Sequence, residues 1–395
     1  MLVFEEALQK VLAAATPLGT ERVDLVRAFG RVLRQDLTAR ADMPAFDYSA
    51  MDGYAVQTAE FASTPLSLPV VGESQTGHPA PKLQPKTTCR IFTGAELPAG
   101  ANAVVMQENV QLAGDAATFT DKPEPFAHVR RRGEDMQAGT VALRSGARLH
   151  GGRLGLIAAL DHMSVLVSRR PRVVIVCTGD ELRDPGSVAR PGSIPESNGY
   201  ALSGFVRQVG GDPMLAPLAK DDAEATRRLL AEAVEGADLL LTVGGVSVGD
   251  HDVVRPALEA LGAQLEFYKV RIKPGKPLTF GRLGRAAILG LPGNPVSAQV
   301  TFALFGAPLL RSMQADSAPL PRRRTVTLLS EITQKTGRRA FVRGAYRPDG
   351  VEPFTNQASG SAVSMAQADA LIEVPEDVER IPAGDRVDTI SLAEL

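Results

Sequence analysis

Residues 239–252 read LLLTVGGVSVGDHD, which places two carboxylates directly behind a glycine-rich turn. Leu239, Leu240, Leu241 and Val243 have the character of a buried strand, which breaks at Gly244-Gly245 and passes Ser247 and Gly249. Asp250 and Asp252 then lead into an apolar helical pattern. Glycines let backbone N–H groups approach a phosphate, the following helix N-terminus adds partial positive charge, and carboxylates hold a hard cation that bridges phosphate oxygens. An ordinary strand-to-helix turn, with Asp250 or Asp252 capping the helix, accounts for the same residues.

Three further loops carry similar chemistry. Lys273 and Lys276 flank Pro274-Gly275 on a short, stiff loop between the strand-like residues 265–270 and the apolar residues 278–280. Their ammonium groups can converge on one anion or stand as solvated surface charges. Residues 289–297, LGLPGNPVS, end a strand expected at 286–289 and open a long helix, with Asn294 placed to cap it and Pro295 at its first position. Residues 173–177, VVIVC, read as a parallel strand ending in Thr178-Gly179-Asp180-Glu181-Leu182, so a carboxylate pair again follows a strand's carboxyl end. Ligands of open parallel sheets bind in the crevice beyond those ends, and four such loops reinforce one another.

The elements that must position these loops follow a βαβ pattern from about Arg170 onward. Strand 173–177 is followed by a helix at 198–209, a short strand near 214–218, a helix at 222–234, strand 239–243, a helix at 253–261, later strands and a helix at 295–313. Alternation at this spacing predicts a doubly wound parallel sheet with right-handed crossovers. Ahead of it, residues 42–137 are rich in Pro, Gly, Thr and Val, with short strand-like runs and no helical period, as in a small β domain. Helical patterns flank that segment, so it reads as an insertion into a discontinuous helical domain of residues 1–41 plus 138–168. The α/β domain then covers 169–316, and a C-terminal β domain covers 317–395.

Size and composition bound the function. The chain has 395 residues, 44% of them hydrophobic, and a formal net charge of −2, which allows several domains with ample core. The basic runs Arg130-Arg131-Arg132 and Arg322-Arg323-Arg324 are short and offset by acids, so no nucleic-acid groove is expected. Residues 1–15 form an amphipathic helical pattern rather than a signal peptide, and no stretch is long and apolar enough to span a bilayer. Cys89 and Cys177 are the only thiols, a usage that fits a reducing cytoplasm better than a disulfide framework or a thiolate zinc site.

The motifs Phe46-Asp47-Tyr48-Ser49-Ala50-Met51-Asp52-Gly53-Tyr54, Phe92-Thr93-Gly94-Ala95, Arg131-Arg132-Gly133-Glu134-Asp135, Thr178-Gly179-Asp180-Glu181 and Phe341-Val342-Arg343-Gly344 join the loops above in one order. In that order and spacing the chain resembles the molybdopterin molybdenumtransferase family, which includes MoeA and the gephyrin E domain. The resemblance runs from the first helix to the last strand. It implies a homodimer of four-domain subunits with an active site shared between subunits. The implied reaction inserts molybdenum from molybdate into adenylylated molybdopterin and releases AMP with Mg²⁺ as cofactor.

Carried over residue by residue, the resemblance makes Gly244, Gly245, Ser247 and Gly249 a phosphate cradle. Asp180, Glu181, Asp250 and Asp252 become metal ligands, with Glu181 and Asp252 also catalytic. Lys273, Lys276, Ser297 and Arg343 surround molybdate, with Ser359 and Ser364 beside them, while Asp52, Thr93 and Asp135 act from the second subunit. Read without it, Asp52-Gly53 between apolar residues is a good hairpin turn, Thr93-Gly94 a plain turn, and residues 130–132 a solvated hairpin face. The chain departs from the family pattern at Pro195-Glu196-Ser197-Asn198, where Tyr-Asp-Ser-Asn is more frequent, so that carboxylate is one methylene longer. Tyr48 and Gly360-Ser361 are further departures. Two other functions compete: a scaffold that docks receptor tails, and an α/β enzyme acting on another pyrophosphate or nucleotide.

Overall fold

The computed structural model describes residues 1–219, 222–245 and 253–395. The chain divides into two compact bodies. One comprises Asp36–Arg144 with Gly155–Met163, and the other Met1–Gln35, Ser145–Leu154 and Ser164–Leu395. Among the described residues no helix is long and apolar enough to cross a membrane.

The chain opens with helix α1 (Phe4–Ala13), whose Phe4, Ala7 and Val11 recur at helical spacing and are buried, and strand β1 (Thr20–Asp24). The body containing Asp36–Arg144 is then built on six strands: β2 (Gly53–Val56), β3 (Leu66–Ser74), β4 (Thr88–Ile91), β5 (Ala103–Met106), β6 (Val110–Ala113) and β7 (Ala116–Phe119). They form one sheet in the order β5-β2-β4-β3-β7-β6. Tyr54 and Phe61 pack edge-on against Phe119, with ring centroids 6.4 and 5.7 Å away. Asp52-Gly53 is not the turn of a hairpin. Residues on its two sides join different partners, Tyr48–Ser49 pairing with Val129–Arg130 and β2 with β4 and β5. Gly53 is needed for a non-local reason, since a Cβ there would stand 2.1 Å from the Val105 carbonyl oxygen across the ladder.

Helix α2 (Gly151–Ala159), whose residues are divided between the two bodies, leads to β8 (Ser164–Ser168) of the other body, which pairs antiparallel with β1, so segments from both sides of the insertion meet. The central sheet follows with β9 (Arg172–Cys177), α3 (Asn198–Gln208), β10 (Asp212–Leu215), α4 (Ala223–Val234), β11 (Leu239–Val243), α5 (Val254–Ala260) and β12 (Gln264–Lys269). After the short strand β13 (Ile272–Lys273) come β14 (Pro277–Leu283), β15 (Ala286–Leu291), α6 (Pro295–Thr301), a π-helical stretch Phe302–Gly306 and α7 (Ala307–Met313). The sheet order is β10-β9-β11-β15-β14-β12. Strands β10, β9, β11 and β15 are parallel, while β14 runs antiparallel between β15 and β12. Only Gly284 and Arg285 separate β14 from β15, too few for a crossover, which forces the hairpin.

Alternation along β9 explains the two-sided burial. Val173 and Ile175 join the core shared with α1, α3, α6 and α7, while Val174 and Val176 join the core under α4 and α5. Asp222 caps α4, its carboxylate accepting from the Ala225 N–H at 2.6 Å. The chain reverses at β9, since α3 leads to β10 on one side and α4 leads to β11 on the other. A crevice therefore opens between the carboxyl ends of β9 and β11.

The C-terminal sheet is made of β16 (Arg323–Thr327), β17 (Arg339–Arg347), β18 (Gly350–Pro353), β19 (Ala370–Val374) and β20 (Arg386–Ser391), with helix α8 (Ala362–Ala366) between β18 and β19. Its order is β13-β17-β19-β20-β16, with β18 on β17. The lysine-bearing strand β13 is thus the edge of the C-terminal sheet, although the loop is threaded between strands of the central one. Phe4 is wedged between Phe305 and Phe341, with centroids 5.4 and 5.5 Å away, and the Arg339 guanidinium lies over its ring.

Candidate functional site

The strand tips converge through backbone bonds. The Thr178 N–H donates to the Val243 carbonyl at 3.0 Å, the Gly244 N–H to Leu291 at 3.2 Å, and the Asn198 amide to the Gly293 carbonyl at 2.8 Å. The loops after β9, β11 and β15, with the start of α3, therefore form one rim. Gly244 and Gly245 lie on it, whereas Ser247, Gly249, Asp250 and Asp252 lie outside the described residues. Glu181 folds back over the rim, its Oε2 lying 2.5 Å from where a Cβ on Gly179 would stand. The neighbouring Asp180 has its carbonyl taken by Arg190 Nη2 at 3.1 Å.

Two carboxylates at a strand tip suit Mg²⁺, which takes one or two carboxylates and keeps several waters. Among the described residues no three His, Cys, Asp or Glu side chains converge on a metal. Glu196 does not join this rim as an open acid. It is buried, and its Oε1 accepts from the Gly199 N–H at 2.8 Å, which anchors the start of α3. Burial, with Glu196 alongside, pushes the Cys177 thiol well up, so it stays protonated.

A cleft of about 670 Å³ lies next to the lysine loop and is lined by Lys273, Lys276, Ser297 and Ser359, together with residues of the C-terminal sheet. Neither lysine has an ion pair or side-chain hydrogen bond among the described residues. Ser297 is buried and exposes its side to the cleft at the start of α6. Pro295 takes the first position of that helix as the sequence predicts, but the expected cap does not form, since the Asn294 side chain makes no capping bond. Pro295 has no N–H, and the Val296 N–H is taken by the Ser359 carbonyl at 3.0 Å.

Arg343 is placed differently from the lysines. Its side chain is wholly buried and does not line the cleft, and Nη2 donates to the carbonyls of Asn356 at 3.0 Å and Ala358 at 3.1 Å. It therefore holds from behind the loop that carries Ser359. Nε and Nη1 have no partner among the described residues, and burial pushes the guanidinium pKa down. Ser364 is also buried off the cleft, its Oγ donating to the Ser361 carbonyl at 3.0 Å.

The other body carries Asp52, Thr93 and Asp135. The Asp52 carboxylate accepts from the Thr93 N–H at 2.7 Å and from its hydroxyl at 2.8 Å. Those two bonds, the backbone one first, with the Arg90 charge behind them, hold its carboxyl below the usual range. Asp135 is bound instead to Arg130 Nη2 at 2.6 Å. Arg132 Nε reaches Asp42 at 2.6 Å, and Arg131 lies over Phe126 with its guanidinium 4.6 Å from the ring centre, so residues 130–132 are individually engaged rather than a uniformly solvated face.

Thr93→Val removes one of the two donors to Asp52 and should raise its carboxyl titration toward the ordinary aspartate value of about 3.9, as read by carboxyl carbon NMR. Because the folded pKa is depressed, the associated stability is present above the unfolded pKa and is lost as pH falls through the folded one. An unchanged titration in the variant would show that the hydroxyl contributes nothing.

Sequence reasoning passed over Arg338, Thr333 and Gln334, which also line the cleft. No local pattern marks them, because tertiary pairing brings them to the lysine loop.

Comparison with known proteins covers nearly all of the chain. Residues 2–160 match the family model described as MoeA N-terminal region (domain I and II), 174–312 the probable molybdopterin binding domain, and 325–392 the MoeA C-terminal region (domain IV). The chain is 37% identical to the molybdopterin molybdenumtransferase of Haemophilus influenzae over 98% of each chain. It is 35% identical to molybdopterin molybdenumtransferase 2 of Mycobacterium tuberculosis over 97% of each. Among solved structures, a molybdopterin biosynthesis moeA protein from Pyrococcus horikoshii OT3 superimposes with a TM-score of 0.87 at 30% identity, covering 99% of this chain and 100% of that one.

Proposed function

Since the chain belongs to the molybdopterin molybdenumtransferase (MoeA) family, we propose that it takes adenylylated molybdopterin and molybdate, inserts the molybdenum and releases AMP with Mg²⁺. It is a transferase of molybdenum cofactor biosynthesis. The observation that carries the finer reading is the cleft, where Lys273 and Lys276, neither of them in an ion pair among the described residues, stand beside Ser297 and Ser359. Ammonium groups held in no ion pair, beside hydroxyl donors, suit a tetrahedral dianion, whose charge the lysines balance and whose oxygens the serines bond.

In this reading the rim at Gly244-Gly245 receives the phosphoanhydride. Asp180 and Glu181, with Asp250 and Asp252, would hold Mg²⁺, which when bound neutralises phosphate oxygens. Arg343 keeps the Ser359 loop in register by its two carbonyl bonds, so the serine approaches the anion in a fixed pose. Asp52, kept ionised by Thr93, and Asp135 are supplied by a second copy of the chain in a homodimer. The cytoplasm suits Cys89 and Cys177, which are buried free thiols, the former with its pKa pushed up to about 11 by burial.

Purified protein given adenylylated molybdopterin, Mg²⁺ and molybdate should release AMP only when both inorganic partners are present. It should also reconstitute an apo-molybdoenzyme. Binding of the nucleotide substrate without any AMP release under those conditions would overturn the reading.

A further inference from the structure

We propose that Arg338 is an oxyanion-binding residue that works with Lys273 as a clamp in the cleft, an inference that rests on the function proposed above. Strand β13 pairs in parallel with β17, Ile272 opposite Arg339 and Lys273 opposite Ala340. The pairing is extended by the Arg339 N–H, which donates to the Arg271 carbonyl at 2.9 Å. Arg338 directly precedes β17, so this pairing brings it next to the lysine strand, and both Arg338 and Lys273 line the cleft.

The adjacent arginine shows the contrast. Arg339 is consumed by structure, paired with Glu373 at 3.0 Å, with Glu376 at 3.2 Å and with Glu5. Arg338 has no ion pair or hydrogen bond among the described residues. Of the two carboxylates in the lining, Glu331 is tied to Arg380 at 2.6 Å, and Glu352 forms no ion pair. Like charges gathered in one cleft repel. An anion between them reverses that sign, and the guanidinium contributes what the lysines cannot, a planar fork that grips two oxygens at once.

Tetrahedral oxyanion chemistry has two sources here, molybdate and the phosphate end of the organic substrate. Equilibrium dialysis of molybdate alone, and of inorganic pyrophosphate alone, against wild type, Arg338→Gln and Arg338→Lys separates them. Arg338→Gln should weaken one probe by roughly tenfold or more, with Arg338→Lys recovering only part because it restores charge without the fork. Thermal melting should stay unchanged, since Arg338 bonds to nothing in the fold. Loss confined to molybdate assigns the clamp to the metal oxyanion, and loss confined to pyrophosphate assigns it to the phosphate end. Wild-type affinity of Arg338→Gln for both probes overturns the proposal and leaves the proposed function standing. Failure of the wild-type protein to bind either probe overturns both.

Discussion

Replacing Lys273 and Lys276 together with alanine should cut molybdate-dependent AMP release by roughly a hundredfold or more while the protein stays folded. Both residues are exposed at the cleft and neither has an ion pair or side-chain hydrogen bond among the described residues, so stability should move by no more than about 0.5 kcal/mol. The effect on turnover is large because preorganised charge acts where solvent is partly excluded and the proposed substrate is a dianion. Steady-state AMP release and a thermal melt on the same preparation separate the two consequences. Turnover near the wild-type level in the double variant would mean that the dianion is neutralised elsewhere.

Gly275→Ala should destabilise the molecule by about 2–4 kcal/mol, the sum of overpacking and a left-handed backbone imposed on a residue with a Cβ. Gly275 has φ +100°, and a Cβ there would stand 2.3 Å from Thr301 Cγ2. The threonine cannot turn away cheaply. It is wholly buried, and its hydroxyl donates to the Ser297 carbonyl at 2.7 Å and to Ala298 at 3.1 Å. The strain therefore falls between the lysine loop and the helix bearing Ser297, so turnover should drop with stability. Adding Thr301→Ser deletes the methyl but keeps the hydroxyl, and should recover the steric part alone. Denaturant unfolding of the single and double variants measures this, and equal stability of the two would refute the clash as the cause.

Much of the central sheet was legible because parallel strands are buried on both faces and read as unbroken apolar runs, as in residues 173–177 and 239–243. The lysine loop was equally plain, since proline and glycine punctuate it. Other features were hidden for specific reasons. Asp52-Gly53 has the local composition of a turn, but Gly53 is required by a carbonyl on a strand some fifty positions away, which no local pattern encodes. Arg338 and Arg339 are chemically identical neighbours, and only tertiary packing separates the one lining the cleft from the one locked among glutamates. The antiparallel placement of β14 had a signal in the two-residue link Gly284-Arg285, which was too short for any helix. Arg343 was read from its motif, but its burial behind the serine loop follows from packing that the motif does not describe.

The wedge of Phe4 between Phe305 and Phe341 bears on how the molecule is assembled. One wall of the cleft is made from residues 273–297 and the other from residues 330–359, yet the bolt that holds these segments comes from the first turn of the first helix. Closing so distant a loop is slow and contributes nothing until the late segments exist. A ribosome-bound chain thus carries Lys273 and Lys276 before it owns the surface that faces them. The cleft should therefore form as a final, concerted event rather than domain by domain.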